Sequence, residues 1–486
     1  MPARLTLFAL LFVAGTALAA DPPQRPNIVF ILADDLGYTD VACFGSKYYE
    51  TPNIDRLAAE GLKYTHGYTC GPNCQPTRAA LMSGQYGPRT GVYTVGGTDR
   101  FDTTSRPLIP VPNVTQLDLG KVTVAESLKK AGYATAMFGK WHLGNGDAHH
   151  PTKQGFDEAI VSAGQHFDFN TQPNVNVPEG TYLADFLTEK ALSFIDRNQS
   201  KPFFLYLPHF GVHSPHQAKA DIIARFKDKP AAGGHHDPTY AAMIASVDES
   251  VGRVVAKIDE LGLGKNTLIF FSSDNGGVGG YGRAGVIKGN AKGDITDNAP
   301  LRGGKGMLYE GGVRVPWIAR WTGVIQSGSK STQPILSVDL HPTLLELSGA
   351  PKPDNQPLDG ESLVASLKSS GKTTLKREDI FWHFPGYLGA SGNSWRTTPV
   401  SAIRHGDYKL LEFFEDGRLE LYDVVKDVGQ DRDLAKEKPD VAKDLHVRLV
   451  AWRESVKAPI PEKKDSSSPA APKKKGKGKK AKNAAE

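Results

Sequence analysis

The pentapeptide Cys74-Gln75-Pro76-Thr77-Arg78 sets a thiol, a stiff proline and a permanent cation side by side. A thiol beside a fixed cation is a candidate nucleophile. Four other polar clusters could serve it: Asp34-Asp35, Lys140-Trp141-His142, the pair His209/His213, and Asp274-Asn275, with Lys305 further along. Asp34, Asp35, Asp274 and Asn275 offer only oxygen donors, the set that suits Ca²⁺ or Mg²⁺. Scattered histidines and few cysteines argue against zinc. Lys140 and Lys305 could clamp a bound anion, and a histidine nearby could protonate a departing alkoxide. These are the parts that hydrolysis of an anionic ester with a hard metal ion requires.

Each cluster follows an apolar run. Pro26 to Leu32, Tyr133 to Phe138, Lys201 to Leu207 and Thr267 to Ser273 show no polar alternation, the pattern of strands covered on both faces. Helices are expected between them. One starts at Thr51 as N-cap with Pro52 in the first turn, and closes at Gly61. A second covers Val122 to Lys130, and a third runs from Tyr240 to Leu261 with Ala241, Ile244, Val247, Val251, Val254 and Ile258 on one face. Such alternation implies an α/β fold, a large mixed, mostly parallel sheet sandwiched by helices. Ligands collect beyond the carboxyl ends of such strands, so clusters far apart in sequence can converge there. One cluster alone would be read as a helix cap or surface loop; four clusters after four strands would not.

The Gly-, Asn- and Asp-rich stretch Val278 to Pro300 reads as a loop over the site, followed by a strand at Val313 to Ile318. Past Lys376 the pattern changes. Ile380 to Phe384, Tyr408 to Phe413 and Leu419 to Tyr422 read as strands of a smaller antiparallel sheet. Asp416-Gly417 forms a hairpin turn, and a closing helix covers Pro439 to Lys457. The expected divisions are a leader at 1–20, a large catalytic domain at 21–375, a small C-terminal α+β part at 376–458 and a tail at 459–486.

With 486 residues, 39% hydrophobic and 23% charged, the chain has the composition of a globular protein with ample core. Arg4, the apolar stretch Leu5 to Val13 and the small residues ending Ala19-Ala20 form a signal-peptide pattern too short to span a membrane; a secreted or periplasmic protein without a membrane span is expected. The net charge of +5 misleads. From Pro459 onward nine lysines face three acidic residues, so the tail and Arg4 carry the whole basic excess. The body is therefore no generic polyanion or nucleic-acid binder. The Lys/Ser/Pro/Ala/Gly-rich tail is expected to be disordered, as a solubilising extension or as an electrostatic attachment to an anionic surface. Three cysteines cannot build a disulfide framework; a Cys43–Cys70 pair or a local Cys70–Cys74 bond stays open. His149, His150, His235 and His236 read as solvated loop residues.

At these residues the chain resembles the type I sulfatases of the alkaline-phosphatase-like superfamily. Cys74 to Arg78 resembles their first signature, with Thr77 where Ser is commoner. Gly139-Lys140-Trp141-His142-Leu143-Gly144 resembles the second, and Leu301 to Pro316, LRGGKGMLYEGGVRVP, a third block. The likeness extends over about residues 26 to 435, taking in Asp339 to Thr343 and Glu420 to Asp423. It implies that a formylglycine-generating maturation enzyme, or an equivalent, oxidises Cys74 to formylglycine (3-oxoalanine). The hydrate then attacks sulfur, and the aldehyde re-forms as sulfate leaves. It further implies Asp34, Asp35, Asp274, Asn275 and converted Cys74 as ligands of Ca²⁺, with Mg²⁺ the alternative. Arg78 would hold the hydrate, Lys140 and Lys305 the sulfate oxygens; His142 would take the hydrate's proton, and His213 would be the leaving-group acid. His209 is the alternative acid, because Pro208 to Pro215 departs from the family's shorter pattern. His383 is expected to reach the substrate from the small sheet, or else to be a packed strand-end residue. The expected substrates are sulfate esters of polysaccharides or oligosaccharides. A phosphonate or phosphodiester hydrolase and a non-catalytic sulfated-glycan binder are the alternatives. Oligomeric state is left open.

Overall fold

A computed structural model describes residues 25–98, 106–285, 294–391 and 394–464. The expected leader at 1–20, and the tail beyond Lys464, lie outside the described residues.

The run Asn27–Ala33 (β1) is buried along its whole length and pairs in parallel with a strand on either side. Burial on both faces is what its unbroken apolar sequence demands. Val29, Ile31 and Ala33 enter one core, where Ile54, Leu187 and Val247 come from helices Pro52–Ala59, Leu183–Asn198 and Pro238–Glu260. Ile28, Phe30 and Leu32 enter the other, with Leu81, Leu128 and Leu344 from helices Cys74–Ser83, Val124–Lys130 and Leu340–Ser348. The period-two alternation of a strand thus feeds both sides of the sheet.

The sheet has eight strands. In chain order the others are Leu62–Tyr64 (β2), Ala134–Gly139 (β3), Glu158–Val161 (β4), Phe203–Pro208 (β5), Thr267–Ser273 (β6), Trp317–Arg320 (β7) and Ser329–Ser331 (β8), and across the sheet they run β8-β2-β7-β6-β1-β5-β3-β4. Only β7 runs against its neighbours, so the sheet is mixed and mostly parallel, as the sequence implied. Four adjacent strands, β6, β1, β5 and β3, are those whose ends carry the polar clusters.

Local chemistry sets the helix ends. Thr123 accepts from Glu126 N at 3.1 Å while the Glu126 carboxylate accepts from Thr123 N at 2.7 Å, a reciprocal cap. Thr51 precedes its helix as expected, but its hydroxyl caps no helix amide; it accepts from Ala42 N and donates to Asp55. The strand expected at Val313 to Ile318 is corrected: Glu310–Val313 forms one helical turn, and the strand starts at Trp317, after Pro316 has removed a ladder donor.

The smaller sheet contains Asp379–Phe384 (β9), Val400–His405 (β10), Tyr408–Phe413 (β11) and Leu419–Asp423 (β12), all antiparallel, backed by helix Pro439–Ser455. β10 is one of its two inner strands and carries too little alternation to be read from the sequence. Trp382, Leu410, Leu421 and Leu449 share a core with Tyr68, Ala80, Leu308 and Val338 of the larger part. Across this seam Glu310, fully buried, accepts from Lys409 Nζ at 2.9 Å and from Tyr68 OH at 2.7 Å. The tail expected to be disordered from residue 459 is ordered at its start: Glu462–Lys463 pairs antiparallel with Leu108–Ile109.

Candidate active site

At the carboxyl end of the sheet the four strands release their polar residues into one buried cluster. β1 gives Asp34 and Asp35, β6 Asp274 and Asn275, β5 the segment to His213, and β3 Lys140 and His142. Backbone bonds hold these ends together: Asp34 N donates to Gly211 O, Val212 N to Asp34 O, Lys140 N to Pro208 O and Asp274 N to Ala33 O. Gly139 is indispensable to the turn after β3, with φ at 134° and a position where a Cβ would lie 1.9 Å from Pro208 O. Asp35 and His142 also take left-handed backbone, at φ 64° and 63°. Asp and His are among the non-glycine residues that adopt this region most readily.

Cys74 is the first residue of its helix, which is buried throughout, and its Sγ lies 3.9 Å from Asp35 Oδ1. Arg78, one turn on and fully buried, donates from Nε to Asp274 Oδ2 at 2.9 Å and from Nη1 to Lys140 O at 2.6 Å. Lys140 Nζ donates to Asp34 Oδ2 at 2.6 Å and Lys305 Nζ to Asp35 Oδ2 at 3.0 Å. Asn275 Nδ2 donates to Asp35 Oδ1 at 2.8 Å. Three buried carboxylates are thus matched by three cations, the condition under which such burial is tolerated.

The environment fixes the protonation states. Burial raises the Asp35 carboxyl, but Lys305, His213 and Lys140 outweigh it and hold the group below the ordinary carboxylate range. Burial pushes the Cys74 thiol far above its usual value despite Lys140 and Lys305, so an unmodified Cys74 is a neutral thiol here. Burial, then Lys140, carries His142 well below the usual imidazole range and His213 down to about 4. His213 Nδ1 lies 2.7 Å from Ser214 O; a carbonyl only accepts, so Nδ1 carries hydrogen and Nε2 faces Asp35 Oδ2 at 3.8 Å.

A divalent cation fits this donor set. Asp34, Asp35, Cys74 and His213 each present an atom within 4.8 Å of the others. Asp34 Oδ1 and Asn275 Oδ1 are buried without a hydrogen-bond partner, and buried oxygens left so are costly unless something coordinates them. Asp274 is held by Arg78 and by Asp35 N, at 3.2 Å from its Oδ1.

Other expectations separate. His209 is fully buried, with Nε2 2.9 Å from Ser250 Oγ on helix Pro238–Glu260, away from the cluster that His213 joins. His383 is corrected from a substrate contact to a packed residue, its ring nitrogens lying 2.7 Å from Ser401 Oγ and 2.9 Å from Pro459 O. His235 is not solvated: it is buried, with Nε2 2.7 Å from Asp297 O and 3.5 Å from Asp40 Oδ1. Among the described residues Cys43, Cys70 and Cys74 are all free, so neither disulfide considered forms.

Supporting residues escaped sequence reasoning. Asp40 accepts from Gly37 N, Tyr240 OH and Thr296 Oγ1 at 2.8, 2.9 and 2.7 Å, bracing the turn after Asp35. Asn298 Nδ2 donates to Gly277 O, Gly279 O and Gly303 O, tying the loop after Asn275 to the one bearing Lys305. A buried Asp or Asn inside a polar loop gives no periodic signal; the sequence offered only an isolated Thr-Asp-Asn triplet, Thr296 to Asn298.

A cavity of about 580 Å³ is lined by Lys140, His142 and His213 together with Phe210, Pro215, Asn145, Gln165 and Gln172.

Known proteins resemble this chain over most of its length. The family model described as Sulfatase matches residues 26–350, and that of the N-sulphoglucosamine sulphohydrolase C-terminal region matches residues 304–455. The chain belongs to the sulfatase family. It is a sulfuric ester hydrolase of the alkaline-phosphatase-like superfamily. A sulfatase of Formosa agariphila is 36% identical, the alignment covering 92% of this chain and 93% of that one. The N-acetylgalactosamine-6-sulfatase of Mus musculus is 35% identical over 81% of this chain and 73% of its own. The crystal structure of Ps i-CgsB superposes with a TM-score of 0.73 at 30% identity, covering 88% of this chain and 93% of that chain. Among the described residues, no helix of this sulfatase is long and apolar enough to cross a membrane.

Proposed function

We propose that this chain is an exported sulfatase that releases sulfate from esters on polysaccharides or oligosaccharides, using formylglycine made from Cys74 and a divalent cation, Ca²⁺ or Mg²⁺. The observation that carries the reading is the meeting of Cys74 with Asp34 and Asp35 between Lys140 and Lys305, next to a cavity of sugar size that Lys140 and His213 line. Relatives support the class of substrate: Ps i-CgsB has also been solved with k-i-k-neocarrahexaose, and an N-acetylgalactosamine-6-sulfatase is among the relatives.

Asp34, Asp35, Asn275 and converted Cys74 would hold the cation, with Asp274 turning an oxygen to it as a further ligand. When bound, the cation supplies Lewis-acid charge and the aldehyde hydrate supplies the nucleophile. The remaining steps belong to this chain's own side chains. Lys140 and Lys305 place their ammonium groups where sulfate oxygens gain charge in the transition state. Arg78 holds Asp274 and the Lys140 carbonyl, fixing the floor beneath Cys74. His142 is a neutral imidazole whose buried Nδ1 has no partner, so it can accept the proton that the hydrate loses when sulfate is expelled. His213 has Nδ1 committed to Ser214 O, so Nε2 is the atom left to hand a proton to the departing sugar oxygen, a role that requires this nitrogen to be protonated first. Export rests on the leader, and conversion of Cys74 requires a maturation enzyme in the host.

Mass spectrometry of the Cys74 tryptic peptide from host-made protein, together with sulfate release from a panel of sulfated oligosaccharides, tests the reading. Exchange of the thiol for an aldehyde, with release, is expected. An unmodified Cys74 in protein that binds sulfated glycans without turnover would make it a binding protein. Faster turnover of aryl phosphodiesters than of sulfates would make it a phosphorus hydrolase; a phosphonate monoester hydrolase from Agrobacterium radiobacter shares the fold at 21% identity.

A further inference from the structure

The cavity beyond the cluster has a lining of uneven charge. Of its lining groups, Lys140, His142 and His213 belong to the sulfate end. Farther out there is no carboxylate, no arginine and no second lysine among the described residues. His150 is the one other basic side chain described there, and its ring already spends Nδ1 on Thr152 Oγ1 at 2.8 Å and Nε2 on Gln172 O at 3.3 Å. Lys140 is tied to Asp34. What remains for a ligand are three carboxamides, Asn145, Gln165 and Gln172, whose side chains have no hydrogen-bond partner among the described residues. The Gln172 backbone is pinned to Val161 by two bonds of 2.8 Å, so this amide stands on a fixed base. Pro215 and Phe210 also line the cavity; the Phe210 ring is buried, stacked on His166 at 4.8 Å between centroids and packed on His213 at 5.0 Å, so Pro215 offers the apolar surface for a pyranose C–H face.

Amides both donate and accept, and so match hydroxyl or acetamido groups. They cannot neutralise an anion. A uronate carboxylate or a second sulfate on the sugar seated here would meet exposed amides and no cation, so it gains no ion pair to offset the water it gives up. We infer that this cavity takes a neutral sugar ring bearing a single sulfate, read by Asn145, Gln165 and Gln172, and disfavours rings carrying a second anionic group. The inference rests on the reading that the substrate is a glycan sulfate ester and adds the charge class of the sugar.

The test compares a monosulfated neutral hexose glycoside with its counterpart bearing a second sulfate on the same ring. Sulfate release from the shared position gives kcat/KM, and calorimetry on the Cys74→Ala chain gives binding without turnover. A preference of ~10-fold or more for the monosulfated ring is expected, since each 1.4 kcal/mol of discrimination is about tenfold. Gln172→Arg should shrink that ratio at least ~5-fold by supplying the absent cation. Gln165→Arg, on an exposed side chain, gives the same test if Gln172→Arg does not fold. Equal or reversed preference, or a ratio unmoved by both variants, overturns the inference and leaves the sulfatase reading intact. Binding that favours the monosulfated ring without turnover of either sugar overturns the glycan-sulfatase reading and leaves the cavity assignment standing. Absence of both binding and turnover overturns both.

Discussion

Replacing Lys409 by Met removes the cation that Glu310 faces across the seam between the two sheets. Both side chains are fully buried. Burial raises the Glu310 carboxyl, but Lys409, Arg314 and Arg404 outweigh it and hold the group at about 2 against an ordinary 4.5. A carboxyl held that far down contributes about 3 kcal/mol to folding. That contribution is shared among Lys409, Arg314 and Arg404, and burial holds the Lys409 ammonium below its usual value despite Glu310; removing one partner of such a buried pair costs about 3–5 kcal/mol. Arg314 and the Tyr68 hydroxyl remain beside Glu310, which places Lys409→Met near the lower end, at about 3 kcal/mol. Glu310 is depressed in the folded state, so its contribution is present above pH 4.5 and is lost as pH falls through about 2. Urea unfolding at pH 7 should show a lower midpoint with an unchanged slope, and the variant's stability should fall less steeply than the parent's between about pH 4.5 and pH 3. A Lys409→Met cost below about 1 kcal/mol, or an acid-side slope equal to the parent's, would refute the reasoning, because a dispensable Lys409 means a seam held by packing alone.

Gly139→Ala should fail to assemble the site: a Cβ 1.9 Å from Pro208 O at φ 134° forces β3 away from β5, and expressed protein should be insoluble or inactive by sulfate release. Lys305→Ala should lower kcat/KM for an aryl sulfate by ~100-fold or more, the scale of deleting one charged group at a developing oxyanion, and a loss under ~5-fold would remove it from sulfate binding. Prolonged EDTA dialysis should abolish turnover and lower the thermal midpoint, with both restored by Ca²⁺ or Mg²⁺; unchanged activity in chelator would argue against the cation. Tyr240→Phe deletes the phenol that braces Asp40 and should cost about 1 kcal/mol in stability with a several-fold drop in kcat, read by urea unfolding and steady-state kinetics.

The amino-acid sequence by itself determined the sheet and the identity of the cluster. Apolar runs such as Asn27 to Leu32 can be satisfied only as strands covered on both faces, and the polar residues at their carboxyl ends must emerge at one edge. That alone brings Asp34, Lys140, His213 and Asp274 together. The motif around Cys74 named its chemistry through resemblance, since a lone thiol with Pro and Arg after it carries no distance information. Tertiary structure alone decided the rest. It separated His209 from His213, because a shift of four residues past a strand end turns one ring toward Ser250 and the other toward Asp35. It moved His383 and His235 into packing, where neighbours from distant segments occupy their nitrogens. It recruited Asp40 and Asn298, whose roles are hydrogen bonds across long loops and leave no periodic trace. Strand and helix periods report burial, which is local along the chain, whereas a side chain's partner is set by where the chain returns.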